Sequence, residues 1–319
     1  MSQRLFGIMP PTTTPFTRDG ELDEGAARQQ AAYMLGHGVH GLVVGGSTGE
    51  GQTLEVDEVR RLVAATIEEV DGRIPVVAGI IVDSTRQAIA KGRAVADLGV
   101  AALQVTPVHY LFRPDDEAML QHFRTIAEET GLPLFIYNVV PWSYLSPELL
   151  VRIMAEVPGV IGVKQSAGDL KLFADLMITA PKDKRLFSAV DALIYPAITL
   201  GAHGIITAML AAAPGRYVEM WNAVKAGDHA KALDLHERLL PLWNAIWSPN
   251  MCACVKYAQS IQGCPGGYPR APMPEASAEQ QAAIRRALAD VALEMNVAAS
   301  AARGPLDPRG IMNPGKVLP

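Results

Sequence analysis

The chain alternates short runs of β-branched and other apolar residues with longer stretches in which apolar side chains recur every three or four positions. The first texture reads as buried strand and the second as helix with one packed face. Leu5 to Met9 opens the series and leads into the turn-rich Thr12-Thr13-Thr14-Pro15-Phe16. Helix is predicted over 24–37, strand over 41–45, and helix again over 55–70, where Val59, Leu62, Val63 and Ile67 keep helical spacing. Strand follows over 75–81, helix from a Ser84 cap to Leu98, strand over 101–105, helix over 115–130 and strand over 133–137. Ser146 caps a predicted helix over 147–155, and Val160 to Lys164 makes the sixth strand. Short strands over 186–188 and 204–207, with helices over 192–200 and 214–226, complete eight units. Eight strand–helix units in series favour a closed parallel (β/α)8 barrel, the TIM barrel, over an open doubly wound sheet.

After residue 227 the strand pattern stops. Helices are predicted over 229–247, 250–262 and 277–298, the last two joined by a Pro/Gly-rich connector over 263–274. The expected organisation is a catalytic barrel over 1–227, an all-helical C-terminal extension over 228–298 and a Pro/Gly-rich tail over 299–319.

The sixth strand changes the picture, because its apolar run ends on Lys164 and passes at once into Gln165-Ser166-Ala167-Gly168-Asp169. An ammonium there either snorkels to the surface or is buried, and burial is costly unless the group is paired or loses its proton. In a barrel the chemistry lies at the carboxyl ends of the strands. Those ends read Thr12–Thr14, Ser47-Thr48-Gly49-Glu50, the loop 106–112, Tyr137-Asn138, Lys164, Ser188–Asp191 and Thr207. Hydroxyls and a single lysine dominate. Of the seven histidines only His109 falls on such a loop, so a metal centre is disfavoured, and no cofactor is implied.

A lone lysine in an apolar, hydroxyl-lined pocket suits imine chemistry on a 2-oxo acid, because desolvation frees the amine to attack a ketone. Gly45-Gly46-Ser47-Thr48-Gly49 offers backbone N–H groups and two hydroxyls for a carboxylate, although a plain tight turn would read the same way. Tyr137 ends the fifth strand, where its hydroxyl either relays protons or is a satisfied core group.

Bulk properties agree with an enzyme of small molecules. Hydrophobic residues make up 49% and charged residues 19% of the 319 positions, which fits a large packed core. A formal net charge of −5 without a basic run argues against nucleic acid and anionic membranes as partners. The N-terminus shows no long apolar signal-peptide core and no stretch reaches the length of a membrane span, so a cytoplasmic location is expected. Cys252, Cys254 and Cys264 lack both a disulfide pattern and a zinc spacing, and read as free thiols.

At Gly46-Ser47-Thr48-Gly49-Glu50, Tyr137-Asn138-Val139, Gly162-Val163-Lys164 and Gly201-Ala202-His203-Gly204-Ile205 the chain resembles the superfamily of dihydrodipicolinate synthases and N-acetylneuraminate lyases. The match extends from about Gly7 to Leu288. The resemblance implies Lys164 as the Schiff-base lysine, Tyr137 as the proton-transferring tyrosine, and Ser47 and Thr48 as holders of the substrate carboxylate, with Ser47 in the hydroxyl relay. It also implies a homotetramer, a dimer of dimers in which one loop reaches into the neighbouring site. Tyr110 is the candidate for that donated group and His109 the runner-up. The candidate catalytic residues are then Lys164, Tyr137, Ser47 and Tyr110; the candidate substrate-binding residues are Gly46, Thr48, His109, Ser166, Ala189, Asp191 and Ile206.

Departures bear on the second substrate. The synthases carry Tyr-Tyr after Thr-Pro, whereas this loop reads Thr106-Pro107-Val108-His109-Tyr110-Leu111-Phe112-Arg113-Pro114. Their arginine after Tyr-Asn-Val is missing from Val140-Pro141-Trp142-Ser143-Tyr144. The Asp-Glu pair of the sialic acid lyases is reduced to Asp191-Ala192. A class I aldolase or lyase is expected, acting on pyruvate or another 2-oxo acid and a relatively apolar aldehyde. A 2-oxo acid dehydratase, 4-hydroxy-tetrahydrodipicolinate synthase and a non-catalytic binding barrel are the alternatives.

Overall fold

The computed structural model describes residues 5–301, with side chains to residue 291. Its strands are β1 (Gly7–Ile8), β2 (Leu42–Val44), β3 (Val76–Ile80), β4 (Ala102–Val105), β5 (Leu134–Asn138), β6 (Val160–Gln165), β7 (Arg185–Ser188) and β8 (Gly204–Ile205). All pair in parallel, in the order β1-β8-β7-β6-β5-β4-β3-β2. The two ends of that order meet where Pro11, just past β1, bridges Val43 of β2. The Thr12 N–H donates to the Val43 carbonyl at 2.9 Å, and the Val43 N–H to the Pro10 carbonyl at 3.0 Å. The expected (β/α)8 barrel is the fold.

Around the strands lie α1 (Glu24–Gly36), α2 (Val56–Val70), α3 (Thr85–Val95), α4 (Asp116–Thr130), α5 (Pro147–Glu156), α6 (Leu170–Thr179), α7 (Ile194–Thr199), the single turn α8 (Met209–Ala212) and α9 (Pro214–Lys225). Then come α10 (His229–Ile246), α11 (Met251–Ser260) and α12 (Ala278–Ala301). Ser84 and Ser146 cap α3 and α5 as expected, each accepting a backbone N–H from the first turn. The sequence reading assigns no helix between β6 and β7. The structure has α6 there, opened by Asp169, whose carboxylate takes the N–H groups of Lys171 and Leu172. Residues 299–301 are the end of α12, and the rest of the tail expected over 299–319 lies outside the described residues.

Alternation along each strand divides the apolar residues into two layers. The outward set packs under the helices, and buried residues of the last three helices, such as Leu242, Val255 and Ile284, belong to the same cluster. The inward set, Leu5, Met9, Val43, Val77, Ala102, Phe135, Phe187 and Ile206, fills the barrel. Phe135 and Phe187 meet edge to face with centroids 5.2 Å apart, a contact worth about 1 kcal/mol beyond area burial. Space beside them is short: a Cβ on Gly162 would lie 1.9 Å from the Arg185 carbonyl oxygen. This apolar plug fills the barrel interior, while polar residues such as Asn138, Gln165 and Ser188 end β5, β6 and β7.

Candidate active site

Strand β6 continues one residue past the lysine, to Gln165, so Lys164 is held by ladder pairing on both sides. It lies opposite Tyr137 of β5 and Phe187 of β7. Gly162 and Lys164 share the parity of Phe135 and Phe187, which points the lysine into the barrel above the apolar plug. Only 4% of Lys164 is exposed, and its Nζ stands 3.8 Å from the centroid of the Tyr137 ring. Burial lowers its pKa to about 7, against the opposing pull of Asp191. Near neutral pH a large fraction of this amine is therefore unprotonated and nucleophilic.

Tyr137 and Asp191 complete the charged environment. Burial raises the Tyr137 phenol to about 12, partly offset by a hydrogen bond with the Ser47 side chain and reinforced by Asp191. Tyr137 therefore stays a proton donor through the neutral range. Burial raises Asp191 to about 6; the Met209 N–H, which donates to it at 3.0 Å, pulls it back, as do Lys164 and Thr207. An amine, a phenol and a carboxyl group with shifted affinities for protons thus interact with one another, with the Ser47 hydroxyl bonded to the phenol. Such a set can form and break a carbinolamine.

The turn after β2 is the one expected to form the carboxylate cradle. Ser47–Gly49 is one turn of 3-10 helix, with the Gly49 and Gly51 N–H groups both donating to the Gly46 carbonyl. Gly51 is required by close approach, since a Cβ there would lie 1.9 Å from the Gly45 carbonyl oxygen. Thr14 fixes the turn from β1 through its hydroxyl, which donates to the Gly49 carbonyl at 2.5 Å. Thr48 is buried and Ser47 half-buried.

Other predicted residues distribute around this centre. Ser166 is half-buried, its N–H donating to the Asn138 carbonyl and its own carbonyl accepting from the Tyr144 hydroxyl at 3.2 Å. The Ala189 N–H donates to the Gln165 carbonyl, and Ile206 belongs to the inner apolar layer. Tyr110 is not part of the buried group: it is 75% exposed, on a loop whose His109 and Tyr110 N–H groups donate to Asp83. The His109 imidazole lies 3.3 Å from the same carboxylate. Trp142 ties this loop to the next, its indole N–H donating to the His109 carbonyl at 2.8 Å, and Ser143 donates likewise to Val108. Sequence reasoning missed a buried ion pair behind the cradle, Lys256 of α11 with Glu50. The available signal was a lysine inside the otherwise apolar run of α11.

Fold and site define the class: a parallel (β/α)8-barrel lyase with a buried lysine among hydroxyls at the carboxyl ends of its strands. The model of the Dihydrodipicolinate synthetase family matches residues 4–291, and the chain belongs to this family of class I Schiff-base lyases. Among curated relatives it is 35% identical over 296 residues to 4-hydroxy-tetrahydrodipicolinate synthase of Methanopyrus kandleri, covering 92% of this chain and 98% of the relative. Dihydrodipicolinate synthase from Thermotoga maritima superposes with a TM-score of 0.85 at 30% identity, over 91% of this chain and 99% of that one. A Clostridium difficile structure, CdNal in complex with mannosamine, gives a TM-score of 0.82 at 26% identity, over 89% and 98%.

Proposed function

We propose that Lys164 forms a Schiff base with pyruvate or a longer 2-oxo acid, and that the resulting enamine makes or breaks a C–C bond to a relatively apolar aldehyde. The observation that carries this reading is the buried Lys164 amine, brought to a pKa of about 7 and set 3.8 Å from the Tyr137 ring. The neutral Nζ attacks C2 of the 2-oxo acid while Ser47, Thr48 and the N–H groups around Gly46 hold its carboxylate. Tyr137 protonates the carbinolamine oxygen, which leaves as water, and the phenolate so formed takes a C3 proton from the iminium, giving the enamine and restoring the phenol. In condensation the enamine C3 attacks the aldehyde carbon and the aldehyde oxygen takes a proton; cleavage is the reverse. Hydrolysis of the product imine returns Lys164. Ser166, Ala189, Asp191 and Ile206 line the remainder of the pocket in this reading.

Sodium borohydride with pyruvate is expected to leave a reduced adduct on Lys164, located by peptide mass spectrometry. Absence of any adduct with pyruvate and a panel of 2-oxo acids would sink the proposal. Trapping should also report the state of the amine. With a pKa of about 7 the neutral fraction rises roughly tenfold between pH 6 and pH 8, so the initial trapping rate should climb over that interval and flatten above it. A flat profile would show that Lys164 is not the titrating nucleophile.

The names of the curated relatives favour a second reading, the 4-hydroxy-tetrahydrodipicolinate synthase reaction. Against it stands the absence of arginine from Val140–Tyr144, where a carboxylate on the second substrate would lose a bidentate partner. Parallel assays with carboxylated and apolar aldehydes separate the two. The exposed side chains of Tyr110, Leu111, Phe112 and Trp142 form an apolar surface beside the site. A second copy covering it, within a homotetramer, would bring Tyr110 or His109 to the neighbouring pocket. The working unit in this reading is the 1–227 barrel with its 228–298 extension, acting in the cytoplasm. No helix among the described residues is long and apolar enough to cross a membrane.

A further inference from the structure

Helix α11 lies outside the barrel's eight units, yet it touches the cradle turn at both of its ends. Cys252 donates through Sγ to the Ser47 carbonyl at 3.4 Å. One turn further along the same helix face, the Lys256 ammonium lies 2.5 Å from Glu50 Oε1. Glu50 is the residue at which the turn reverses, with φ +52° and ψ +34°, a left-handed conformation that a residue with a Cβ keeps only when its surroundings hold it there. They do hold it. Its N–H donates to the Ser47 carbonyl, one carboxylate oxygen takes Lys256, and the other takes the Arg270 N–H at 2.9 Å. Lys256 adds a bond to the Tyr268 carbonyl at 2.7 Å. Glu50 and Lys256 are 2% and 1% exposed.

A buried ion pair is a poor stabiliser, because its desolvation cost offsets most of its attraction and an apolar pair of similar shape does as well. What the pair does supply is a fixed direction. We propose that α11 is a positioning element for the 2-oxo acid cradle, acting through Lys256 on Glu50, so that the C-terminal helices set how tightly the substrate carboxylate is held. The inference rests on the reading that Ser47 and Thr48 bind that carboxylate. With Lys256 in place Glu50 stays left-handed, the Ser47–Gly49 turn stays closed, and the Ser47 and Thr48 hydroxyls, with the N–H groups not spent on the Gly46 and Ser47 carbonyls, stay placed for one anion. Without Lys256 the Glu50 carboxylate is left buried on one backbone N–H, and relief comes through rotation of the turn that carries Ser47. Lys256 is then a positioning residue, since it acts on substrate only through Glu50.

The test uses the whole chain and the pyruvate concentration that half-saturates borohydride trapping at Lys164. Lys256→Met removes the charge and keeps the side-chain stem; Glu50→Gln with Lys256→Met removes both charges and so avoids an unpaired buried ion. In variants that remain folded by circular dichroism, half-saturation should move up roughly tenfold or more, the scale of one hydrogen bond to a charged group. The amount trapped at saturating pyruvate should stay near that of the unaltered chain. A merely structural pair would reduce the folded fraction without moving half-saturation, and folded variants with unchanged half-saturation overturn the proposal. A double variant that fails to fold overturns it as well, because the pair is then a folding element. Failure of the unaltered chain to form any adduct would instead strike the Schiff-base reading itself, so the two outcomes are distinguishable.

Discussion

Lys164→Ala is expected to leave no adduct trappable by borohydride and to lower turnover roughly 10⁴-fold or more, as removal of a covalent nucleophile does elsewhere. Lys164→Arg should be equally inactive, because a guanidinium cannot give up its proton to become the attacking amine. The companion expectation concerns stability. Burial depresses the Lys164 pKa to about 7 in the folded state, below its value of about 10.4 in the unfolded chain. The unfolded chain therefore binds more protons between those values, and this residue makes stability rise with pH across that window. Below it the buried ammonium weakens the fold to the full extent, so Lys164→Met should melt at or above the unaltered chain at pH 6. Thermal melts at pH 6 and pH 9 check the sign. A variant that is both inactive and less stable at pH 6 would make Lys164 a structural residue.

Tyr137→Phe is expected to lower turnover roughly 100-fold or more, in line with loss of a general acid–base group, while leaving Lys164 able to form its adduct slowly. The ring would remain against the Lys164 ammonium, so only the hydroxyl and its bond with Ser47 are removed. Measurement of kcat alongside the trapping rate separates proton transfer from positioning. Near-normal turnover would remove Tyr137 from the mechanism. The residual activity should keep its pH dependence near 7, because that limb belongs to the amine and not to a phenol raised to about 12.

Local periodicity carried most of the architecture. Every barrel strand falls where an apolar run is bounded by turn residues, and the Ser84 and Ser146 caps sit where a hydroxyl precedes helical spacing. Helix α6 is hidden in the sequence because the residues ahead of it, Gln165 to Asp169, read as a loop motif, although Asp169 is also the cap of that helix. At the site, Lys164 was legible because a charge terminating an apolar strand has few inexpensive explanations. The same logic applies to Lys256 within α11, but its partner lies 206 residues away in the chain, and no local pattern links two such positions. Tyr110 shows the opposite limit: a motif position suggests a role, while within one chain its ring faces solvent.

The apolar plug of Phe135, Phe187, Met9 and Val43 gives the barrel a floor as well as a core. With that floor beneath Lys164, the proposed reactants and the water expelled from a carbinolamine would share the approach from the carboxyl ends of the strands. On the proposed Schiff-base reading, dehydration of the first adduct would then have to finish, and its water clear, before a second reactant could take its place. The order of events at Lys164 would then be imposed by traffic as much as by reactivity.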